Sequence, residues 1–203
     1  MGGSIKLEGK VARDAEAMLA DVTRLLGKIG IRYGLDGGTL LGIVREDRLL
    51  PWDDDMDLVV TEDQLPRLEA RLYRFRLAGY KVSVKRARSA MGVIPAGAVR
   101  LIKIRSRKYL FWRGDLLMDL FIKYASGDRY EWIVGEKNAV HKSVDGRFYR
   151  SLGQLTFRGV EYTVPAETEA YLGARYGEWR TPVKVWDFRR DDQAISQGSP
   201  SPS

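Results

Sequence analysis

Residues 50–60 read LPWDDDMDLVV and place Asp53, Asp54, Asp55 and Asp57 within five positions, directly ahead of an apolar run that ends in valines. Carboxylates this close raise one another's pKa, so the cluster is costly unless a cation or hydrogen-bond donors offset it. In an extended strand, side chains two apart share a face. Asp55 and Asp57 then point one way and Met56, Leu58 and Val60 the other, with the two aspartate Cα atoms about 6.5 Å apart. Such a pair can converge on one divalent ion, and Mg²⁺ (or Mn²⁺) suits a shell of aspartate, water and phosphate oxygens. Asp119 interrupts the apolar run 117–122 and needs a partner there. If its strand neighbours the first, it faces Asp55 and Asp57 and completes a three-carboxylate site. Gly37, Gly38 and Thr39 stand between a strand and a helix, where backbone N–H groups at the positive end of the helix can receive a phosphate. A glycine pair alone is equally an ordinary tight turn. Followed by Asp-x-Asp and a later aspartate, it reads as a constellation for phosphoryl or nucleotidyl transfer.

The elements that must position these residues follow from periodicity. Val11, Ala15, Met18, Val22, Leu25 and Ile29 recur at helical spacing, with Gly30 as the stop. A strand is expected over 31–35, a brief helix N-capped by Thr39, and a strand over 55–60. Thr61 and Gln64 form a capping box for a helix to about residue 78. Strands are expected over 81–86, 99–105 and 116–124, joined across 86–98 by a connection that the pattern leaves undefined. Residues 155–164 form a hairpin turning at Arg158-Gly159, and Pro165 opens a helix to Tyr176. The segment NAVHKSVDGR reads as a polar loop or helix end, with His141 at the surface. The organisation expected is a flexible N-terminus (1–10), one catalytic domain (11–186) and a disordered tail (187–203). The fold class is α+β, a mixed sheet flanked by helices.

Composition limits the function classes. The 203 residues include no cysteine, which excludes disulfides and thiolate metal sites and suits a reducing cytoplasm. No apolar run approaches the ~20 residues of a membrane-spanning helix. The net charge of +7 favours polyanionic partners such as nucleotides, phosphates or an anionic membrane face.

The stretch YGLDGGTLLGIVREDRLLPWDDDMDLVV (33–60) resembles the signature of the LicD/fukutin family. The stretch LTFRGVEYTVPAETEAYLGARYGEWRTP (155–182) is similar to the family's closing hairpin, helix and Tyr-Gly segment, and DLLMDLFIKY (115–124) extends the likeness over most of residues 15–185. The resemblance implies a nucleotidyltransferase fold. It also implies transfer of phosphocholine or ribitol phosphate from a CDP-linked donor to a glycan hydroxyl, with release of CMP and use of a divalent cation. It matches Asp55 and Asp57 to the family's metal-binding aspartates, with Asp53 preceding them, and Asp119 to the third carboxylate. Gly38, Thr39 and Arg45 match the GTLLGxxR portion. The sequence has neither the cysteine-bound metal site nor the membrane anchor of some eukaryotic relatives, so the acceptor does not carry over.

Other residues carry open readings. Asp54 is expected to point away from the metal. Arg45 either binds donor phosphates, steadies a carboxylate or lies along the surface. Lys103, Arg105 and Arg107 alternate with Ile102 and Ile104, so they form either a solvated face or a pyrophosphate-binding one. Trp52 either stacks on a base or anchors its turn, whereas Trp112, Trp132, Trp179 and Trp186 read as core or groove residues. The expected partners are a CDP-linked donor and a glycan or lipid-linked glycan, with peripheral contact at the inner face of a membrane and no nucleic acid. Two rival readings remain: a true nucleotidyltransferase moving NMP to a small molecule or protein, and a non-catalytic anion-binding domain.

Overall fold

The computed structural model describes residues 6–108, 112–136, 138–183 and 186–196. The first helical pattern forms α1 (Gly9–Lys28), which buries Ala15, Met18, Leu19, Val22 and Leu26 and ends where Gly30 takes φ 69°. Leu7, expected within a flexible N-terminus, is buried and donates its N–H to the carbonyl of Pro51 at 3.0 Å; residues 1–5 lie outside the described residues.

The next strand is shorter than expected. β1 (Gly34–Leu35) pairs antiparallel with β2 (Met56–Thr61) for two residues only. Arg32 is taken out of the ladder because its backbone N–H donates to Gln64 Oε1 (2.6 Å) and its carbonyl accepts from Gln64 Nε2 (2.9 Å). The same contacts divert Gln64 from the expected capping box. A single helix to residue 78 is therefore replaced by a 3₁₀ turn (Glu62–Gln64), α3 (Leu65–Glu69) and α4 (Leu72–Leu77), with Pro66 in the first turn of α3.

α2 (Gly37–Glu46) connects β1 to β2, and β3 (Lys81–Arg86), β4 (Val99–Lys108) and β5 (Trp112–Ser126) complete a sheet in the order β1-β2-β5-β4-β3. β2 and β5 run parallel and the other pairs antiparallel. Alternation sorts the faces: Met56, Leu58, Ile102, Ile104, Met118, Leu120 and Ile122 are buried in one apolar cluster with Leu19, Val22 and Leu26 of α1 and Leu68, Leu72 and Phe75 of the short helices.

The end of β5 pairs with β6 (Arg129–Val134), and β6 pairs with β7 (Val140–Asp145). NAVHKSVDGR is thus largely strand rather than loop. Its inward residues are Val140, Lys142 and Val144, and the lysine among them conceals the alternation. α5 (Arg147–Arg150) leads to the hairpin β8 (Leu152–Phe157) and β9 (Val160–Pro165). Arg158 and Gly159 take φ 50° and 75°, the left-handed pair of a tight hairpin turn. Pro165 ends β9 instead of opening a helix; Glu167 turns the chain at φ 52° and α6 (Thr168–Tyr176) follows.

The segment after Trp186 is placed through residue 196 instead of being disordered from 187. Its Ala194 carbonyl accepts the Ser143 N–H (2.7 Å), and Ser196 donates its N–H to the His141 carbonyl (3.0 Å), so it runs along the edge of β7. Residues 197–203 lie outside the described residues. No helix among the described residues is long and apolar enough to cross a membrane.

Candidate active site

Sheet register brings the predicted carboxylates together. Asp57 of β2 is the Cα partner of Asp119 of β5, and Asp119 is the partner of Lys103 of β4. In-register neighbours project from the same face, so three charged side chains stand in a row above the apolar layer. Lys103 Nζ donates to both oxygens of Asp119 at 3.0 and 2.8 Å. Asp55 immediately precedes β2, and the carboxylates of Asp53, Asp54 and Asp55 each offer an oxygen within 4.8 Å of the others. Asp54, expected to point away, belongs to this group, although it is exposed.

The start of α2 meets the carboxylates directly. Gly37 takes φ 55°, and a Cβ at this position would lie 1.9 Å from Asp57 Oδ2; at Gly38 it would lie 1.9 Å from Asp53 Oδ2. Only glycine lets the helix terminus approach this closely. The Gly38 N–H faces Asp57 Oδ2 at 3.3 Å. Thr39 does not cap the helix, since Asp36 occupies the capping position. Instead, Thr39 Oγ1 accepts the backbone N–H of Asp57 at 2.8 Å and joins α2 to β2 from behind the site.

Electrostatics separate two sets of acids. Burial, followed by repulsion from Asp55, Asp53, Asp119 and Asp36, holds Asp57 well above the ordinary carboxylate range. Burial and the charges of Asp119, Asp53 and Asp54 push Asp55 up to about 8, against a pull from Lys103. Burial and Asp54 raise Asp53 to about 6. Burial also raises Asp119, and Lys103 counters it. Among the described residues, no lysine or arginine forms an ion pair with Asp53, Asp54, Asp55 or Asp57. A crowded set of hard oxygen donors without cationic partners suits a hard divalent ion such as Mg²⁺ or Mn²⁺, which would remove this repulsion.

The second set lies beneath the site and went unrecognised in the sequence. Lys123 is fully buried, 2.9 Å from Asp36 Oδ2; it donates to the hydroxyls of Tyr149 (2.7 Å) and Tyr171 (3.1 Å) and sits 3.6 Å from the Trp132 ring centroid. Arg175 reaches Asp36 at 3.0 Å and grips Asp192 through Nε and Nη2, while Lys142 donates to the same Asp192 at 2.5 Å. Burial opposes ionisation of Asp36, but Lys123 and Arg175 outweigh it and hold its carboxyl far below the usual range. Arg175 and Lys142 likewise bring Asp192 to about 2 despite its burial. Asp36 donates its N–H to the Asp57 carbonyl at 3.1 Å, which ties this buried network to β2.

These groups surround a cleft of about 820 Å³. Gly37, Gly38, Asp53, Asp55, Asp57, Lys103 and Asp119 line it, and Trp52, 57% exposed, stands at its mouth. Arg45 also reaches the cleft, but its guanidinium is committed to Glu46 Oε1 (2.7 Å) and the Trp179 carbonyl (3.3 Å), so it braces the wall. Arg105 and Thr39 do not line it. Trp132 and Trp179 are buried at its edge and Trp186 is partly exposed there, whereas the Trp112 side chain lies outside what is described. His141 is not a surface residue: it is half-buried on β7, with Nε2 2.9 Å from Glu131 Oε2. The cleft also contains Arg100, whose signal in the sequence is a lone arginine between valine and leucine at the start of a strand.

The family model described as "LicD/FKTN/FKRP, nucleotidyltransferase domain" matches residues 30–167. An uncharacterised protein of Rickettsia prowazekii is 27% identical over 177 residues, covering 86% of this chain and 58% of that protein. The human protein named ribitol-5-phosphate transferase FKTN is 27% identical over 183 residues, covering 88% of this chain and 36% of that protein. The Haemophilus influenzae protein named lipopolysaccharide cholinephosphotransferase LicD is 46% identical over 37 residues, 18% of this chain and 14% of that protein. The chain thus spans little more than half the length of the first relative and about a third of the second. A crystal structure of ANT(2")-Ia with adenylyl-2"-tobramycin aligns at TM-score 0.41 and 13% identity over 76% of this chain and 70% of that one, a likeness too distant to carry chemistry across.

Proposed function

Since the chain belongs to the LicD/FKTN/FKRP nucleotidyltransferase-domain family, we propose that it is a metal-dependent transferase moving a phosphate-bearing head group, phosphocholine, ribitol phosphate or similar, from a CDP-linked donor to a glycan hydroxyl. The observation that carries this reading is the convergence of Asp57 and Asp119, paired across β2 and β5, with Asp53, Asp55 and the Gly37-Gly38 turn on one wall of a cleft. Asp53, Asp55 and Asp57 would hold Mg²⁺ or Mn²⁺, and the ion would supply charge neutralisation for the donor's pyrophosphate.

The chain's own groups account for the rest. The backbone N–H groups at the start of α2 receive phosphate oxygens and orient the donor. Asp119 lies where the acceptor hydroxyl approaches from the β4 side, and it takes the hydroxyl proton as the oxygen attacks the distal phosphorus. The new P–O bond forms on the acceptor, the bond between the two phosphates breaks, and CMP leaves with the bridging oxygen. Lys103 orients Asp119 and favours its ionised form through the paired contacts at 3.0 and 2.8 Å. The buried cations Lys123, Arg175 and Lys142 keep Asp36 and Asp192 ionised below the cleft. They hold α2 and β2 in register at the point of reaction.

The test is chromatography of nucleotides after incubation with CDP-choline or CDP-ribitol and a glycan panel, with and without Mg²⁺. CMP release that depends on Mg²⁺ and is lost in Asp57→Asn is expected. Release of pyrophosphate from a nucleoside triphosphate would assign nucleotidyl transfer instead. Absence of both, with steeply salt-dependent anion binding, would point to a non-catalytic domain.

A further inference from the structure

Arg100 has no task in the transfer reaction outlined above, yet the fold goes out of its way to present it. Simple alternation along β4 would turn it toward the core with Ile102 and Ile104. The β3–β4 ladder steps from Lys85↔Leu101 to Arg86↔Val99, one residue on β3 against two on β4, so Arg100 is the extra residue of a β-bulge. Bulges re-aim side chains, and this one places Arg100 on the cleft wall beside Leu101 and Lys103.

Its surroundings are those of a receptor for an anion. Arg100 is 6% exposed, and among the described residues no hydrogen bond or ion pair reaches its guanidinium. Lys103, on the same strand, is already taken by Asp119, and Glu136 on the same wall pairs with Arg88 at 3.3 Å. Burial draws the Arg100 pKa down, and Glu136 and Asp119 act on it only as charges at a distance. The side chain is largely covered while its guanidinium meets the open cleft without a protein partner among the described residues, and its planar fork of donors matches a phosphate or carboxylate.

Sheet order decides which end of the cleft it serves. The glycine turn follows β1, Asp57 is on β2, Asp119 on β5 and Arg100 on β4, and these strands are consecutive neighbours. Donor phosphates at the glycine turn and Arg100 therefore flank Asp119 on opposite sides. We infer that Arg100 binds an oxyanion, a phosphate ester or a carboxylate, carried by the acceptor, and so selects an acidic acceptor over a neutral one. The assignment of donor and acceptor ends rests on the reaction proposed above.

Saturation-transfer NMR on the full chain tests this, with glucose 6-phosphate, glucuronate and glucose titrated against CMP-saturated protein. Wild type is expected to bind at least one of the two anions about tenfold more tightly than glucose, and Arg100→Gln to lose that preference. Arg100→Lys keeps the charge but not the fork and should retain only part of it; this variant also serves if Arg100→Gln fails to fold. Equal binding of all three sugars by wild type, or an undiminished preference in Arg100→Gln, overturns the inference. So does a loss of CMP affinity in Arg100→Gln as large as the loss of anion affinity, because that places Arg100 on the donor. Failure of wild type to bind CMP counts against the transfer reaction alone, and the anion preference is then read without CMP.

Discussion

Replacing Asp55 with asparagine should stabilise the metal-free protein while removing its activity. Burial and the charges of Asp119, Asp53 and Asp54 raise the Asp55 carboxyl from an ordinary 3.8 to about 8, against the pull of Lys103. A group whose pKa rises on folding contributes fully below its unfolded value, and that contribution is lost as pH climbs toward the folded value. At pH 7 roughly three pH units separate the solution from the unfolded pKa, and at 1.36 kcal/mol per unit they set a ceiling of ~4 kcal/mol. Asp55 is partly exposed and shares its repulsion with neighbouring carboxylates, so about half of that, ~2 kcal/mol, is expected. For a chain of this size the corresponding shift in Tm is about 4–8 °C. Thermal melts followed by circular dichroism in EDTA at pH 5, 7 and 8 would read it. Wild-type Tm should fall across this range, and Asp55→Asn should melt higher at pH 7 with a flatter pH dependence. Adding Mg²⁺ should raise the wild-type Tm and leave the variant unmoved. An Asp55→Asn protein melting below wild type in EDTA at pH 7 would refute the electrostatic reasoning, and a wild type indifferent to Mg²⁺ and Mn²⁺ would refute the metal assignment.

Gly37→Ala combines a left-handed φ of 55°, worth about 1 kcal/mol of strain, with a Cβ 1.9, 2.6 and 2.8 Å from three atoms of Asp57. Turnover should fall at least ~100-fold with a Tm loss of several degrees, and normal kcat in this variant would show that the close approach is dispensable. Lys103→Met removes the partner of Asp119, whose carboxyl then rises further. The acid limb of the kcat/KM pH profile should move to higher pH, and an unmoved limb would dissociate Asp119 from proton transfer. Asp192→Asn leaves Arg175 and Lys142 in a buried cluster without their shared carboxylate. Urea unfolding should show a loss of about 3–5 kcal/mol, and a loss under ~1 kcal/mol would mean that the segment beyond Trp186 does not stabilise the fold.

What the sequence determined by itself was local. The two-residue period of the strand put Asp55 and Asp57 on one face, the Arg158-Gly159 pair located a hairpin turn, and the alternation of Lys103 with Ile102 and Ile104 separated a charged face from the core without saying whether that face met solvent or a ligand. These inferences hold because side-chain direction within an element depends only on the backbone period. Tertiary structure decided everything that depends on which strands meet and in what register. Asp119 is a partner of Asp57 because β5 slots between β2 and β4, and no spacing along the chain encodes that. The buried charges escaped notice for a related reason. Lys123, Lys142 and Arg175 violate the apolar pattern of their elements and are tolerated because Asp36 and Asp192, distant in sequence, neutralise them in space. That pairing hid β7 and seated the segment read as a disordered tail. The bulge at Arg100 is the smallest such case: one extra residue against β3 reverses the face of a side chain, and only the cross-strand ladder records it.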